Sequence, residues 1–245
     1  MSVVFAFDIE YDGDKILCAC TTWSNGIICV PQLWSSSTKD GFCQLQPLQF
    51  EAMLDTLWAA HLTGCVVATW GGTGSDWPVM LKNAKTDEQR KKIKILAREH
   101  VDIPLISAAS NGMMMGLVSA AIGMGLGRRP YCESEDVPRF WNSGDPSRQN
   151  EVLEHVLWDS KMLTQIYFKL LFAAQGGRPA LHWITQKSGP RTVRLQRSKV
   201  EMPPGEGEEI WQLPPVKEIM TWPQPNTNFN IPSHLDAKKI CEWLQ

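Results

Sequence analysis

The chain has no Cys-x-x-Cys pair, no apolar run long enough to cross a bilayer, no Gly-Lys-Ser/Thr after its glycine-rich segment and no excess of positive charge. Each absence removes a class of function. The seven cysteines, at 18, 20, 29, 43, 65, 132 and 241, are odd in number and lie mostly among apolar residues. A zinc site is therefore not expected, and Cys18 and Cys20 read as small buried thiols on a strand. Met113 to Leu126 is too short and too rich in Gly and Ser to span a membrane, and reads as a packed helix or helix pair. Its methionines suit core filling, with a partner-lining groove as the alternative. The formal net charge of −2 argues against bulk electrostatic binding to nucleic acid but leaves room for a local basic face. The first residues contain no basic n-region, so an intracellular location is expected, cytoplasmic or nucleoid or nuclear.

What is present is organised around Val3 to Glu10, an apolar run ending in two carboxylates one residue apart. Side chains alternate along a strand, so Asp8 and Glu10 point one way while Phe7 and Ile9 point into the opposite layer. Two like charges so close call for a cation, and hard oxygen ligands suit Mg²⁺ or Mn²⁺. The alternative is a pair of acids beside a turn, since Tyr-Asp-Gly-Asp-Lys follows.

With 245 residues and 43% hydrophobic content the chain can bury a large core, as one domain or one domain with an appendage. Lys15 to Trp23 and Gly26 to Pro31 read as two further strands around an Asn-Gly turn, giving three antiparallel strands in succession. Ser35 to Gly41 reads as a polar loop, Pro47 to Leu62 as a crossover helix, and Cys65 to Trp70 as a strand parallel to the first. The glycine-rich turn after it leads through Asp76 into a helix. Strand ends of this kind are where α/β sheets hold ligands, although Asp76 could equally be a helix cap. Lys82 to Arg98 reads as a charged helical segment and Val101 to Ile106 as a short edge strand or connector. Glu151 to Ala174 carries an apolar stripe at helical spacing, with His155 and Asp159 four residues apart on one face. Such a pair could serve a site or merely stabilise a surface helix.

Arg178 to Lys199 contains no acidic residue and reads as a basic hairpin, with Lys187, Arg191, Arg194 and Arg197 available to phosphates and Trp183 to a stacked base. A solvated hairpin is the competing reading. A Pro-rich tail follows, with a short helix from Ser233 to Leu244.

The order Phe7-Asp8-Ile9-Glu10, then Thr69-Trp70-Gly71-Gly72-Thr73-Gly74-Ser75-Asp76, then His155-Val-Leu-Trp-Asp159 resembles the DEDD 3′–5′ exonuclease superfamily. Within it the chain is most similar to the predicted exonucleases related to proofreading domains of family B DNA polymerases; His100-Val-Asp102 matches a further His-x-Asp element. The resemblance covers about residues 1 to 175. It implies an α/β, ribonuclease H-like mixed sheet flanked by helices in residues 1–177, with residues 178–245 as an extension packed on that core. It implies that Asp8, Glu10, Asp76 and Asp159 hold two Mg²⁺ or Mn²⁺ ions about 4 Å apart for phosphodiester hydrolysis. The implied substrates are single-stranded DNA or RNA 3′ ends, met alone or within a larger replication, repair or RNA-processing complex, with no membrane. Gly71 stands where many relatives have Asn, Ser75 where Phe is usual, and His155 at the spacing where relatives carry Tyr; from there it would orient or deprotonate the attacking water. Two other functions remain open: a catalytically weak binding or docking module of the same fold, and an endonuclease of that fold.

Overall fold

Strand β1 (Val4–Asp12) can sit at the middle of a sheet because Val4 to Phe7 and Ile9 are apolar on both faces and almost fully enclosed. A computed structural model of the chain describes residues 3–39, 41–111, 115–175 and 213–220. A tight turn at Gly13 returns the chain as β2 (Lys15–Ser24), antiparallel, with Asp8 opposite Cys20 and Glu10 opposite Cys18. Asn25 then accepts the N–H groups of Ile27 and Ile28 through its side chain, and β3 (Cys29–Trp34) completes the antiparallel trio. Polar residues 35–41 are not only a loop: β4 (Ser36–Thr38) and β5 (Gly41–Cys43) pair as a small separate sheet. Three-residue strands without a continuous apolar face leave no alternation to read.

Helix α1 (Pro47–Leu62) has Pro at its start and buries Phe50, Met53, Leu54, Leu57 and Ala60. It leads to β6 (Val66–Thr69), which lies parallel to β1 with Ala68 beside Ala6. Residues 70–75 turn into α2 (Asp76–Asn83). The charged segment after it is two helices rather than one. Thr86 accepts the Gln89 N–H while the Gln89 side chain accepts the Thr86 N–H, and this capping box starts α3 (Asp87–Glu99) anew. Strand β7 (Val101–Asp102) is shorter than its apolar run, because Ile103 already opens α4 (Ile103–Asn111), where Pro104 is accommodated in the first turn. Next come α5 (Leu117–Gly123), a 3₁₀ turn at Ser134–Asp136 and α6 (Val137–Trp141). The long helix α7 (Pro146–Gln175) begins one turn before its apolar stripe, and α8 (Val216–Ile219) is the last described element.

The larger sheet has five strands in the order β3-β2-β1-β6-β7, antiparallel through β1 and parallel beyond it. Phe7 faces α2, its ring 5.3 Å from that of Trp77. The opposite face of β1 and β2 receives α7, where Thr22 and Ser160 hydroxyls meet at 2.7 Å. Cys18, Cys20 and Cys132 are free buried thiols within a second cluster under α6 and α7. Among the described residues no helix is long and apolar enough to cross a membrane. The basic hairpin and the Ser233–Leu244 helix lie outside the described residues, as does the Pro-rich tail except for 213–220, where Leu213, Val216 and Ile219 are buried and the Val216 N–H donates to the His100 carbonyl at 2.9 Å.

Pairing between β1 and β6 stops at Ala6 and Ala68, so Asp8 and Glu10 extend past the point where β6 turns away. Gly71, at φ +79°, and Gly72 make that turn. A Cβ on Gly72 would lie 2.6 Å from Thr69 Oγ1 and 2.7 Å from Thr69 Cβ. Gly72→Ala should therefore push Thr69 aside and cost about 1–3 kcal/mol, read as a fall in thermal unfolding temperature; an unchanged melt would mean that the turn relaxes freely.

Candidate metal centre

Asp8 and Glu10 share the β1 face that looks toward α7, Asp76 is the first residue of α2, and Asp159 lies in α7. All four line one cleft of about 440 Å³, together with Tyr11, Trp70, Arg129 and Ser134. Three chain segments far apart in sequence thus bring their carboxylates to one place. Asp76 does not act as a helix cap: Ser75 occupies the N-cap position without a side-chain cap bond. The Ser75 hydroxyl instead lies 3.1 Å from Asp76 Oδ1 and 3.0 Å from the Gly71 carbonyl.

The charges here are not balanced from within. Asp8 Oδ2 and Asp76 Oδ2 are buried and have no hydrogen-bond partner among the described residues. Burial first, then the charges of Glu10, Asp76 and Asp159, hold the Asp8 carboxyl well above the usual carboxylate range. Asp76 is raised well above that range too, by burial and then by Glu10 and Asp102 against the opposing Ser75 hydrogen bond. Burial and the same group of acids raise the Tyr11 phenol, so it remains a neutral donor at the rim. Unpartnered buried oxygens and acids driven toward their neutral form are what a cation would relieve.

His155 is fully buried and is not among the residues lining the open cleft. Its Nδ1 lies 2.8 Å from the Cys132 carbonyl, which assigns that nitrogen a proton. Its Nε2 is 3.1 Å from Glu10 Oε1 and 3.4 Å from Asp159 Oδ2. Burial pulls the ring pKa down, but the hydrogen bonds and charges of Asp159 and Glu10 together carry it up to about 11. The Arg129 guanidinium, whose Nη1 also lies against Nε2, pushes the other way. Two carboxylates outweigh one guanidinium, so the direction is upward. Glu10, His155 and Asp159 bring ligand atoms within 4.8 Å of one another, and this buried trio could bind a metal.

Arg129 was not visible as a site residue in the sequence. Its Nη1 donates to Asp159 Oδ1 at 3.0 Å and Oδ2 at 2.7 Å, and its side chain is only 6% exposed. The available signal was the segment Gly123-Met-Gly-Leu-Gly-Arg-Arg-Pro130, in which Gly125 and Gly127 adopt positive φ and deliver the arginine.

His100 and Asp102 stand behind the site and fix its turn. Asp102 accepts the N–H groups of Gly71 and Thr73 at 3.0 Å each. His100 Nδ1 donates to the Ala97 carbonyl, leaving Nε2 to accept from Trp77 Nε1 at 3.1 Å. No protein-family model matches this chain, and no curated protein matches it in sequence.

Burial lowers the His100 pKa to about 4, against the opposing Asp102 charge. Above pH 6.5 the ring is neutral whether the chain is folded or not. As pH falls below that, the unfolded chain takes a proton that the folded one refuses, so stability is lost between 6.5 and 4, by about 3 kcal/mol in all. His100→Gln, which keeps an acceptor for Trp77, should flatten this part of the stability–pH curve. Parallel curves for the two proteins between pH 7 and 4.5 would contradict the buried neutral ring.

Proposed function

We propose that the protein is a divalent-cation-dependent 3′–5′ exonuclease that hydrolyses phosphodiester bonds at single-stranded DNA or RNA ends, on a ribonuclease H-like fold. The observation that carries this reading is the meeting of Asp8, Glu10, Asp76 and Asp159 in one cleft, with buried oxygens of Asp8 and Asp76 unpartnered among the described residues. The strand order β3-β2-β1-β6-β7 with three antiparallel strands first supports the fold. The resemblance would have Asp8, Glu10, Asp76 and Asp159 together hold two Mg²⁺ or Mn²⁺ ions. When bound, such ions supply Lewis-acid stabilisation of a phosphate and lower the pKa of water.

The chain's own residues do the remaining work. Trp70, Met115 and Leu117 form an apolar wall of the cleft, suited to a base whose phosphate lies over the acids. Tyr11 presents its phenol at the same rim. His155, enclosed and tied at Nδ1 to the Cys132 carbonyl, fits holding Glu10 and Asp159 in place better than accepting a proton from water. The reading as a catalytically weak binding or docking module draws on one observation, that Arg129 already occupies both oxygens of Asp159.

The test is incubation of the full chain with end-labelled single-stranded DNA and RNA in Mg²⁺, Mn²⁺ or chelator. Metal-dependent release of mononucleotides from the 3′ end is expected, with Asp8→Ala slower by at least about 10²-fold in single turnover. Internal fragments would assign an endonuclease, and binding without cleavage would assign the docking module.

A further inference from the structure

Arg129 stands where a cation shared by Asp159 and His155 would stand. One guanidinium nitrogen sits 3.0 and 2.7 Å from the two oxygens of Asp159 and against His155 Nε2, two of the three groups whose ligand atoms converge within 4.8 Å. A divalent ion would need those atoms at about 2.0–2.2 Å, and it cannot share them with a guanidinium already in contact. The arginine is held from its far side as well: Nη2 is 3.4 Å from the Ser134 hydroxyl and 3.6 Å from Glu133 Oε2. Its side chain is nearly enclosed, and arginine does not lose its charge.

The demand for a cation is unequal across the cleft. Asp159 has both oxygens satisfied, whereas Asp8 Oδ2 and Asp76 Oδ2 have no partner among the described residues, and Asp76 is 3% exposed. We infer that Arg129 is the built-in cation of the Asp159–His155 side, and that the protein holds a single divalent ion, with Asp8 and Asp76 among its ligands and Asp159 not. The inference rests on the metal-dependent reading above, and it makes Arg129 a positioning residue that substitutes for the charge of a second ion.

Binding stoichiometry decides it without any turnover measurement. Mn²⁺ titration of the full chain, followed by calorimetry and by the electron paramagnetic resonance of free Mn²⁺, should give one ion per chain for the wild type and for Arg129→Lys, and two for Arg129→Met. Asp76→Asn should weaken the single wild-type ion at least about tenfold, whereas Asp159→Asn should change its affinity less than about threefold. Two ions in the wild type, or one in Arg129→Met that folds as the wild type does, would overturn the inference, as would loss of the ion in Asp159→Asn. No Mn²⁺ bound by the wild type would overturn the metal-dependent reading itself along with it.

Discussion

Four carboxylates brought out of water at the end of one strand are the constraint to which the rest of the structure answers. Two unit charges about 4 Å apart interact by roughly 4 kcal/mol at an effective dielectric of 20, which is a large fraction of the 5–15 kcal/mol that typically holds a domain folded. Several such repulsions in one cleft need compensation. The fold supplies some of it through Arg129 and the raised His155 on the Asp159 side. On the Asp8 and Asp76 side the described residues supply the Ser75 hydroxyl to Asp76 and the charge of His155 to Asp8, and both carboxyls are still driven toward protonation. Core packing then has to carry the difference, which fits a site mounted on rigid parts: a central strand, a turn clamped by Asp102 and a thirty-residue helix.

The acids were legible because each lay at a place that a simple period makes readable. Alternation along Val3–Glu10 puts Asp8 and Glu10 on one face whatever else the chain does, and the four-residue spacing of His155 and Asp159 does the same on a helix. Pro47–Leu62 was legible for the same reason and forms with those bounds. What periodicity cannot report is a boundary set by a side-chain bond. The break between α2 and α3 depends on Thr86 and Gln89, and β7 ends where Asp102 turns its carboxylate to the Gly71–Thr73 backbone rather than continuing the strand.

Arg129 shows the further limit. A lone arginine in a glycine-rich segment has no period, and only the three-dimensional path through Gly125 and Gly127 brings it against Asp159. Its presence also changes what His155 can be. Read from sequence, His155 would orient or deprotonate the attacking water; in the structure it is enclosed, tied at Nδ1 to Cys132 and at Nε2 to charged neighbours. The histidine and the arginine together turn one half of the acidic cluster into a closed ion network, while the other half stays open to the cleft.

Thermal unfolding in chelator and in Mn²⁺, for the wild type, Asp8→Asn and Asp76→Asn, tests most directly that Asp8 and Asp76 are held at a cost that a cation relieves. Carboxyls whose folded pKa is raised lend stability below their unfolded pKa and lose it as pH rises through the folded value. At alkaline pH without metal, either Asn variant should therefore melt above the wild type, by about 2–4 °C for each kcal/mol relieved. Mn²⁺ at a hundred times its dissociation constant should raise the wild-type stability by about 2.7 kcal/mol and each variant by no more than about half of that, the remainder for a tenfold weaker site. Asn variants that melt below the wild type in chelator, together with a wild type indifferent to Mn²⁺, would contradict the account.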